Sequence, residues 1–219
     1  MVWIKICGIT RASDGEAISG MGADCLGFIF STDSPRKISL EKARSITSNT
    51  AAVSKTGVFV NEKTAMVIKY VKELGLDNVQ LSGDEDIAYM EELKSAAPEA
   101  KIIKAIRIRE DSGSRPVQLD RIIKSFSGSA DYILLDSYDK DKYGGTGKTI
   151  DWQLIRGLAN TGCLILSGGL DHENIYNRLC AIEPFGVDAS SRLEAAPGIK
   201  DLKRVEKFIA EVRRYEKQL

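Results

Sequence analysis

The sequence contains almost no histidine, no long apolar run and no excess of either charge. His172 is the single histidine in 219 residues, so acid–base chemistry near neutral pH falls to thiols and carboxylates rather than to imidazole. No stretch has the apolar length that a transmembrane helix needs. Lysine plus arginine and aspartate plus glutamate each total 31, so the basic surface typical of nucleic-acid-binding proteins is missing. We expect neither a membrane nor a nucleic acid as partner.

Cysteines are few and scattered. Cys7, Cys25, Cys163 and Cys180 form no C-x-x-C pair, which argues against a disulfide framework or a zinc site and fits reduced thiols. Residues 1–8 lack the basic segment, apolar core and small-residue cleavage site of a secretory signal. We therefore expect a cytoplasmic protein.

Short apolar, β-branched segments alternate with helical patterns along the chain, as in parallel strands covered by crossover helices. Eight such units in this length favour an α/β fold, a single (β/α)8 TIM-barrel domain over 1–219, because a doubly wound sheet normally needs fewer strands. The predicted strands are Val2–Gly8, Cys25–Phe30, Ser54–Val60, Asn78–Gly83, Lys101–Ile108, Tyr132–Ser137, Cys163–Gly169 and Phe185–Ser190. Helical patterns cover Leu40–Ile46, Thr64–Leu74, Ile87–Ala96 and Ile199–Tyr215.

Polar residues at the carboxyl ends of these strands are the candidates for chemistry, because barrel active sites are built there. Lys5 and Cys7 lie two residues apart on the first strand, so their side chains share a face and the ammonium favours a thiolate. The alternative for Cys7 is a small buried hydrophobic residue. The sixth strand is apolar until Asp136; its alternative role is a helix cap or loop salt bridge, although Asp151 can cap the next helix itself.

Two further groups of residues suit an anionic substrate. After the second strand, Pro35 stiffens a turn that brings Arg36 over the barrel mouth, where a guanidinium suits a planar carboxylate; the alternative is a surface charge. Strands seven and eight end in Gly168-Gly169 and in 188–191, which predicts a phosphate subsite or, alternatively, two ordinary turns. The glycine-rich segment 144–148 lacks the Walker spacing, and we interpret 138–150 as an active-site loop.

Together these segments resemble the phosphoribosylanthranilate isomerase family of tryptophan biosynthesis. The matching motifs follow one another along nearly the whole chain, at 5–10, 22–30, 34–36, 57–61, 79–81, 136, 144–148, 167–170, 186–188, 190–191 and 197–201. The resemblance implies the Amadori rearrangement of N-(5-phosphoribosyl)anthranilate to 1-(2-carboxyphenylamino)-1-deoxyribulose 5-phosphate, with no cofactor and no metal.

The resemblance also implies a role for each candidate. Asp136 would protonate the furanose ring oxygen and open the sugar to a Schiff base. Cys7, as thiolate, would then remove the C2 proton to give an enolamine that tautomerises to the ketone. Arg36 would hold the anthranilate carboxylate. The phosphate would be held by residues of the last two loops, Gly168, Gly169, Asp188, Ser190 and Ser191.

Two positions depart from the family pattern. Ser82 stands where the family usually has histidine, in Val-Gln-Leu-His-Gly, and offers a smaller group that does not titrate. Arg192 stands where the family's Ser-Ser-Gly-Val-Glu has glycine, and either adds a phosphate contact or crowds the backbone approach. Both departures concern the fit of the substrate more than the type of reaction.

Two other functions remain open from the sequence. The histidine-pathway isomerase of the same reaction class has an aspartate where this chain has Cys7. A barrel paralogue that binds a phosphorylated metabolite without isomerising it would explain the departures at 82 and 192, but the intact Cys7, Arg36 and Asp136 argue against it. The expected partner is a phosphorylated aminosugar, bound by a monomer or a homodimer.

Overall fold

Eight parallel strands close into a barrel in sequence order, with the last strand beside the first. The structure is a computed structural model that describes residues 1–30, 33–50, 52–108, 116–126, 128–137 and 162–218. The strands are β1 Trp3–Cys7, β2 Cys25–Ile29, β3 Ser54–Phe59, β4 Asn78–Leu81, β5 Lys101–Ile108, β6 Tyr132–Ser137, β7 Leu164–Ser167 and β8 Gly186–Ala189. The predicted barrel is confirmed.

Helices cover the outside of this barrel. They are α1 Ala12–Gly20, α2 Leu40–Thr47, α3 Thr64–Leu74, α4 Ile87–Ala96, α5 Pro116–Phe126, α6 Ile175–Ile182 and α7 Leu202–Glu216. Side-chain caps set several starts: Ser39 accepts from Lys42 N before α2, and Asp86 accepts from Tyr89 N before α4. Within the described ranges, no helix has the length and apolarity to cross a bilayer.

The apolar core has two parts, because successive strand side chains point to opposite faces. On β6, Ile133 and Leu135 pack outward into the large layer between strands and helices, whereas Leu134 joins a small inner cluster with Ile103 and Ile165. Three stacked aromatic rings fill the amino-terminal end of the interior: Trp3, Tyr132 and Phe185. The carboxyl end is therefore the mouth of the barrel.

The last helix begins later than its pattern predicts. Residues 199–200 form the strand β10 (Ile199–Lys200), which pairs antiparallel with β9 (Glu194–Ala196). Gly198 turns the chain between them with φ +80°, a conformation that favours glycine. Asp201 then accepts hydrogen bonds from two backbone N–H groups and starts α7 at Leu202.

Two strands are shorter than predicted for a similar reason. β7 ends at Ser167 because Gly168 and Gly169 have φ +95° and +61°, which breaks the extended conformation. β4 ends before Gly83, whose N–H donates to the side chain of Glu85. The predicted loop 138–150 and the predicted cap Asp151 lie outside the described residues.

Candidate active site

Four polar residues lie in register on adjacent strands at the mouth of the barrel. Asp136 on β6 is opposite Ser167 on β7, Ser167 is opposite Asp188 on β8, and Asp188 is opposite Lys5 on β1. Cys7 follows Lys5 by two residues and shares its face of the strand. The predicted base and acid, 129 positions apart by their residue numbers, thus belong to one polar wall inside the barrel.

The Cys7 thiol is buried, with 6% of the residue exposed. A Cβ on Gly27, opposite it on β2, would lie 2.8 Å from Sγ and 3.0 Å from the Cys7 Cα, so only glycine leaves room for the thiol. Burial raises the pKa of Cys7, Lys5 and Lys200 act to lower it, and Asp188 acts to raise it. Lys5 therefore favours the thiolate as expected, but burial outweighs that effect.

The Asp136 carboxyl group also has an altered pKa. Burial raises it, the negative charge of Asp188 raises it further, and the positive charges of Arg107 and Lys5 oppose both. A carboxyl group with a raised pKa keeps its proton to higher pH. That is the property required of a general acid.

An ion pair lies beneath these two groups. Lys5 Nζ is 2.9 Å from Asp188 Oδ1, with 0% and 7% of the side chains exposed. Burial opposes the charge of Lys5, but Asp188 and the thiols of Cys7 and Cys25 outweigh it and raise the Lys5 pKa above its usual range. The carboxylate of Asp188 thus points into the barrel, not toward the predicted phosphate loops.

Arg36 reaches over the mouth and is held there by a carboxylate. Its Nε and Nη2 donate to Glu194 at 2.8 and 2.6 Å, and Lys200 Nζ donates to the same carboxylate at 3.0 Å. Burial acts to raise the pKa of Glu194, but these two cations outweigh it and lower the pKa. No described residue bonds to Nη1 of Arg36, so this nitrogen remains available for a ligand.

The first, second and eighth strand–helix loops meet around Gly8, which has φ +79°. A Cβ there would lie 2.7 Å from Arg36 Cδ and 3.1 Å from Ser190 Oγ. Ser190 Oγ donates to the carbonyl oxygen of Cys7 at 3.0 Å, and Lys200 Nζ donates to the carbonyl oxygen of Ser190 at 3.2 Å. The carboxylate-binding arginine and the thiol are therefore parts of one connected structure.

The two predicted phosphate loops are adjacent and tied together. Gly168 and Gly169 turn the chain after β7, and a 3-10 turn, Ser191–Leu193, follows β8. Arg192 Nη1 donates to Asp171 Oδ2 at 2.8 Å, which links the two loops. Its guanidinium is thus directed to Asp171, and this contact shows a third role for Arg192 besides the two expected.

Comparison with known proteins agrees with this geometry. The family model described as "N-(5'phosphoribosyl)anthranilate (PRA) isomerase" matches residues 4–211. A curated N-(5'-phosphoribosyl)anthranilate isomerase from Gloeothece citriformis is 38% identical over 214 residues, covering 97% of this chain and 94% of the relative. The chain belongs to the PRA isomerase family.

Two solved PRA isomerase structures share the fold over 98% of this chain and 100% of their own, each with 34% identity and a TM-score of 0.82. One is described as monomers of the dimeric enzyme from Thermotoga maritima. The other is a complex with reduced 1-(o-carboxyphenylamino)-1-deoxyribulose 5-phosphate. The family predicted from the sequence is confirmed, and the chain is an isomerase of tryptophan biosynthesis.

In this PRA isomerase, sequence reasoning missed two residues of the site. Glu194 and Lys200 lie on β9 and β10, and their side chains meet beside Arg36. A signal was present, because Pro197-Gly198 between two charged residues is typical of a tight turn. At the other departure, Ser82 Oγ accepts from Gln80 Nε2 at 3.1 Å. Among the described residues, no three His, Cys, Asp or Glu side chains form a metal site.

Proposed function

We propose that this PRA isomerase catalyses the Amadori rearrangement of N-(5'-phosphoribosyl)anthranilate with Cys7 as general base and Asp136 as general acid. The observation that carries the proposal is their common placement: a thiol and a carboxyl group with a raised pKa on one wall at the mouth of the barrel. Positioned proton transfer by two such groups is sufficient for an isomerisation that is internal to the substrate.

The two groups act in sequence. Asp136 donates its proton to the furanose ring oxygen as the bond from that oxygen to C1 breaks, and the nitrogen lone pair forms the C1–N double bond of a Schiff base. Cys7, as thiolate, removes the C2 proton, and the electrons of that C–H bond form the enolamine. Proton transfer to C1 then gives the ketone. Product and substrate are isomers, so the steps need no oxidant or reductant.

Binding falls to the two ends of the mouth. Arg36 holds the anthranilate carboxylate with the nitrogen that Glu194 does not engage. Backbone groups of Gly168, Gly169 and the serines at 190–191 hold the phosphate at the opposite side. We assign Asp188 to the barrel interior instead, because its carboxylate faces Lys5 and would repel a phosphate.

The decisive test is turnover of purified Cys7→Ser and Asp136→Asn. Each should lower kcat by about 10²–10⁴-fold while leaving the circular dichroism spectrum unchanged. Cys25→Ser is the matched control, because Cys25 is also a buried thiol of the barrel but contacts Thr56 at 3.0 Å instead of the mouth. Near-normal kcat in either variant of the acid–base pair refutes that residue's role.

Substrate identity is tested in the same preparation. Wild-type protein should turn over phosphoribosylanthranilate and complement a tryptophan auxotroph that lacks the isomerase. Activity only on the aminoaldose of histidine biosynthesis, or a folded protein active on neither substrate, contradicts the proposal. The second result would instead favour a barrel that binds a phosphorylated metabolite without isomerising it.

The setting in which we propose this reaction is the cytoplasm, in a single barrel domain spanning 1–219. The substrate is a small phosphorylated aminosugar, and nucleic acid and membrane have no part in the proposal. One structural relative is described as dimeric, which supports a homodimer as well as a monomer. Sedimentation of the purified chain distinguishes these two states.

A further inference from the structure

The buried ion pair of Lys5 and Asp188 has no part in the steps described above. Its charged atoms are 2.9 Å apart and almost fully buried, and removing two charges from water is costly unless further hydrogen bonds satisfy them. Among the residues that the structure describes, neither Lys5 Nζ nor Asp188 Oδ1 makes an aligned hydrogen bond. Stabilisation of the fold is therefore a poor explanation for the pair.

Each charge lies next to one of the two proposed catalytic groups. Lys5 precedes Cys7 by two residues on β1, so both side chains project from the same face. Asp188 is in register with Lys5 on one side and with Ser167 on the other, and Ser167 is in register with Asp136. The cation adjoins the base, and the anion lies on the side of the acid.

The proposed reaction requires a thiolate and a protonated carboxyl group at the same time. A thiol in water loses its proton at far higher pH than a carboxyl group does, so this combination is ordinarily a very small minority of the population. A positive charge beside the thiol stabilises the thiolate, and a negative charge beside the carboxyl group stabilises its protonated form. Both charges increase the population of the reactive combination.

We propose that the Lys5–Asp188 pair selects the reactive protonation state, with the ammonium stabilising the Cys7 thiolate and the carboxylate stabilising protonated Asp136. This inference rests on the acid and base roles proposed above. Lys5 and Asp188 are positioning residues, because they act through the two catalytic groups and not on the substrate.

Several charged groups from other strands and loops also face Cys7. Lys200 acts with Lys5 to lower the Cys7 pKa, Asp188 acts to raise it, and Arg36 interacts with the thiolate charge. After burial itself, Lys5 has the largest effect on this pKa. Loss of the Lys5 ammonium therefore raises the Cys7 pKa further.

The groups that face Asp136 have a different order. After burial, Asp188 has the largest effect and raises the Asp136 pKa, whereas Arg107 on β5 and Lys5 act to lower it. Loss of the Asp188 charge therefore lowers the Asp136 pKa. Each member of the ion pair is thus the strongest charged influence on the catalytic group that it adjoins.

The test is the pH dependence of kcat/KM, which reports the free enzyme. The active combination is maximal on a plateau between a lower limb set by Asp136 and an upper limb set by Cys7. Lys5→Met should move the upper limb to higher pH, and Asp188→Asn should move the lower limb to lower pH. The double variant should do both, and each pH unit of added separation lowers the plateau about tenfold.

A second buried ion pair provides the matched control. Lys104 Nζ is 2.9 Å from Glu85 Oε2, with side-chain exposures of 5% and 1%; Lys104→Met should leave both limbs at their wild-type pH. Lys5→Arg keeps the positive charge and should return the upper limb toward its wild-type position. Folded Lys5→Met with reduced activity but unmoved limbs overturns the inference.

Two further measurements keep the inference testable. If Lys5→Met does not fold, Asp188→Asn, which preserves size and shape, decides by the position of the lower limb. Titration of the Cys7 thiolate by its ultraviolet absorbance, with Cys7→Ser as blank, needs no substrate, and an unchanged titration in folded Lys5→Met also overturns the inference. A wild-type protein that does not isomerise refutes the proposed function, whereas unmoved limbs in an active enzyme refute only the ion-pair inference.

Discussion

Two lysine–carboxylate pairs of the same length lie buried on opposite sides of the barrel wall. In both, Nζ is 2.9 Å from a carboxylate oxygen. Lys5 and Asp188 face the interior. Lys104 faces outward, because it alternates along β5 with Ile103 and Ala105 of the inner cluster. The pairs differ in what else they bind.

The outer pair is fully hydrogen-bonded. Lys104 Nζ also donates to the carbonyl oxygen of Gly83 at 2.7 Å, and the oxygens of Glu85 accept from the N–H groups of Asn61 and Gly83 at 2.8 and 2.9 Å. It thereby fastens the loops after β3, β4 and β5 to one another. The inner pair makes no aligned hydrogen bond among the described residues. A satisfied pair stabilises the fold, whereas an unsatisfied pair beside reactive groups acts on their chemistry.

The largest expected effect separates the pairs by stability. Lys104→Met leaves Glu85 buried and without its counter-charge, which should lower the free energy of unfolding by about 3–5 kcal/mol. Urea unfolding measures the loss, and kcat of the folded variant should remain within twofold of wild type, on the order of 0.4 kcal/mol. A stable Lys104→Met variant would remove the structural half of the comparison.

Glycines beside the two pairs allow a sharper version of this contrast. A Cβ on Gly83 would lie 2.8 Å from Asn61 N, whereas one on Gly27 would lie 2.8 Å from Cys7 Sγ. Overpacking of this kind typically costs about 1–3 kcal/mol. Gly83→Ala should therefore appear mainly as a lower melting temperature, and Gly27→Ala mainly as a lower kcat. Equal effects of the two variants on kcat would contradict the division between the regions.

The smallest expected effect concerns Arg36, whose orientation depends on Glu194. Glu194→Gln keeps the shape but removes the charge that holds the guanidinium, so KM should rise roughly tenfold, about 1.4 kcal/mol, with kcat nearly unchanged. Arg36→Met should raise KM at least as much. The double variant should be no worse than Arg36→Met, because Glu194 acts through Arg36; additive effects would reject that order.

The barrel could be predicted because its strands are short apolar runs, and burial of such runs depends on composition more than on distant contacts. Their ends were less predictable. Gly168 and Gly169 read as a continuation of an apolar strand until their positive φ angles turn the chain. The start of α7 failed similarly, because 199–200 fit a helical period but pair with 194–196.

The site divides in the same way. Cys7, Asp136 and Arg36 follow predicted strands, so their position at the mouth follows from the fold alone. The contact of Arg36 with Glu194, 158 residues away, depends on closure of β8 onto β1 and has no local signal. Likewise, the sequence shows an ammonium near Cys7, but it does not show that burial outweighs this charge in the pKa.

The aromatic rings of Trp3, Tyr132 and Phe185, stacked at the amino-terminal end of the barrel, have a kinetic consequence. With that end filled by side chains, the interior has the form of a cup and not of a tunnel. Reactant and product pass through the same opening and occupy the same anion-binding loops. Product should therefore inhibit competitively, and any ligand held at the rim delays both entry and release.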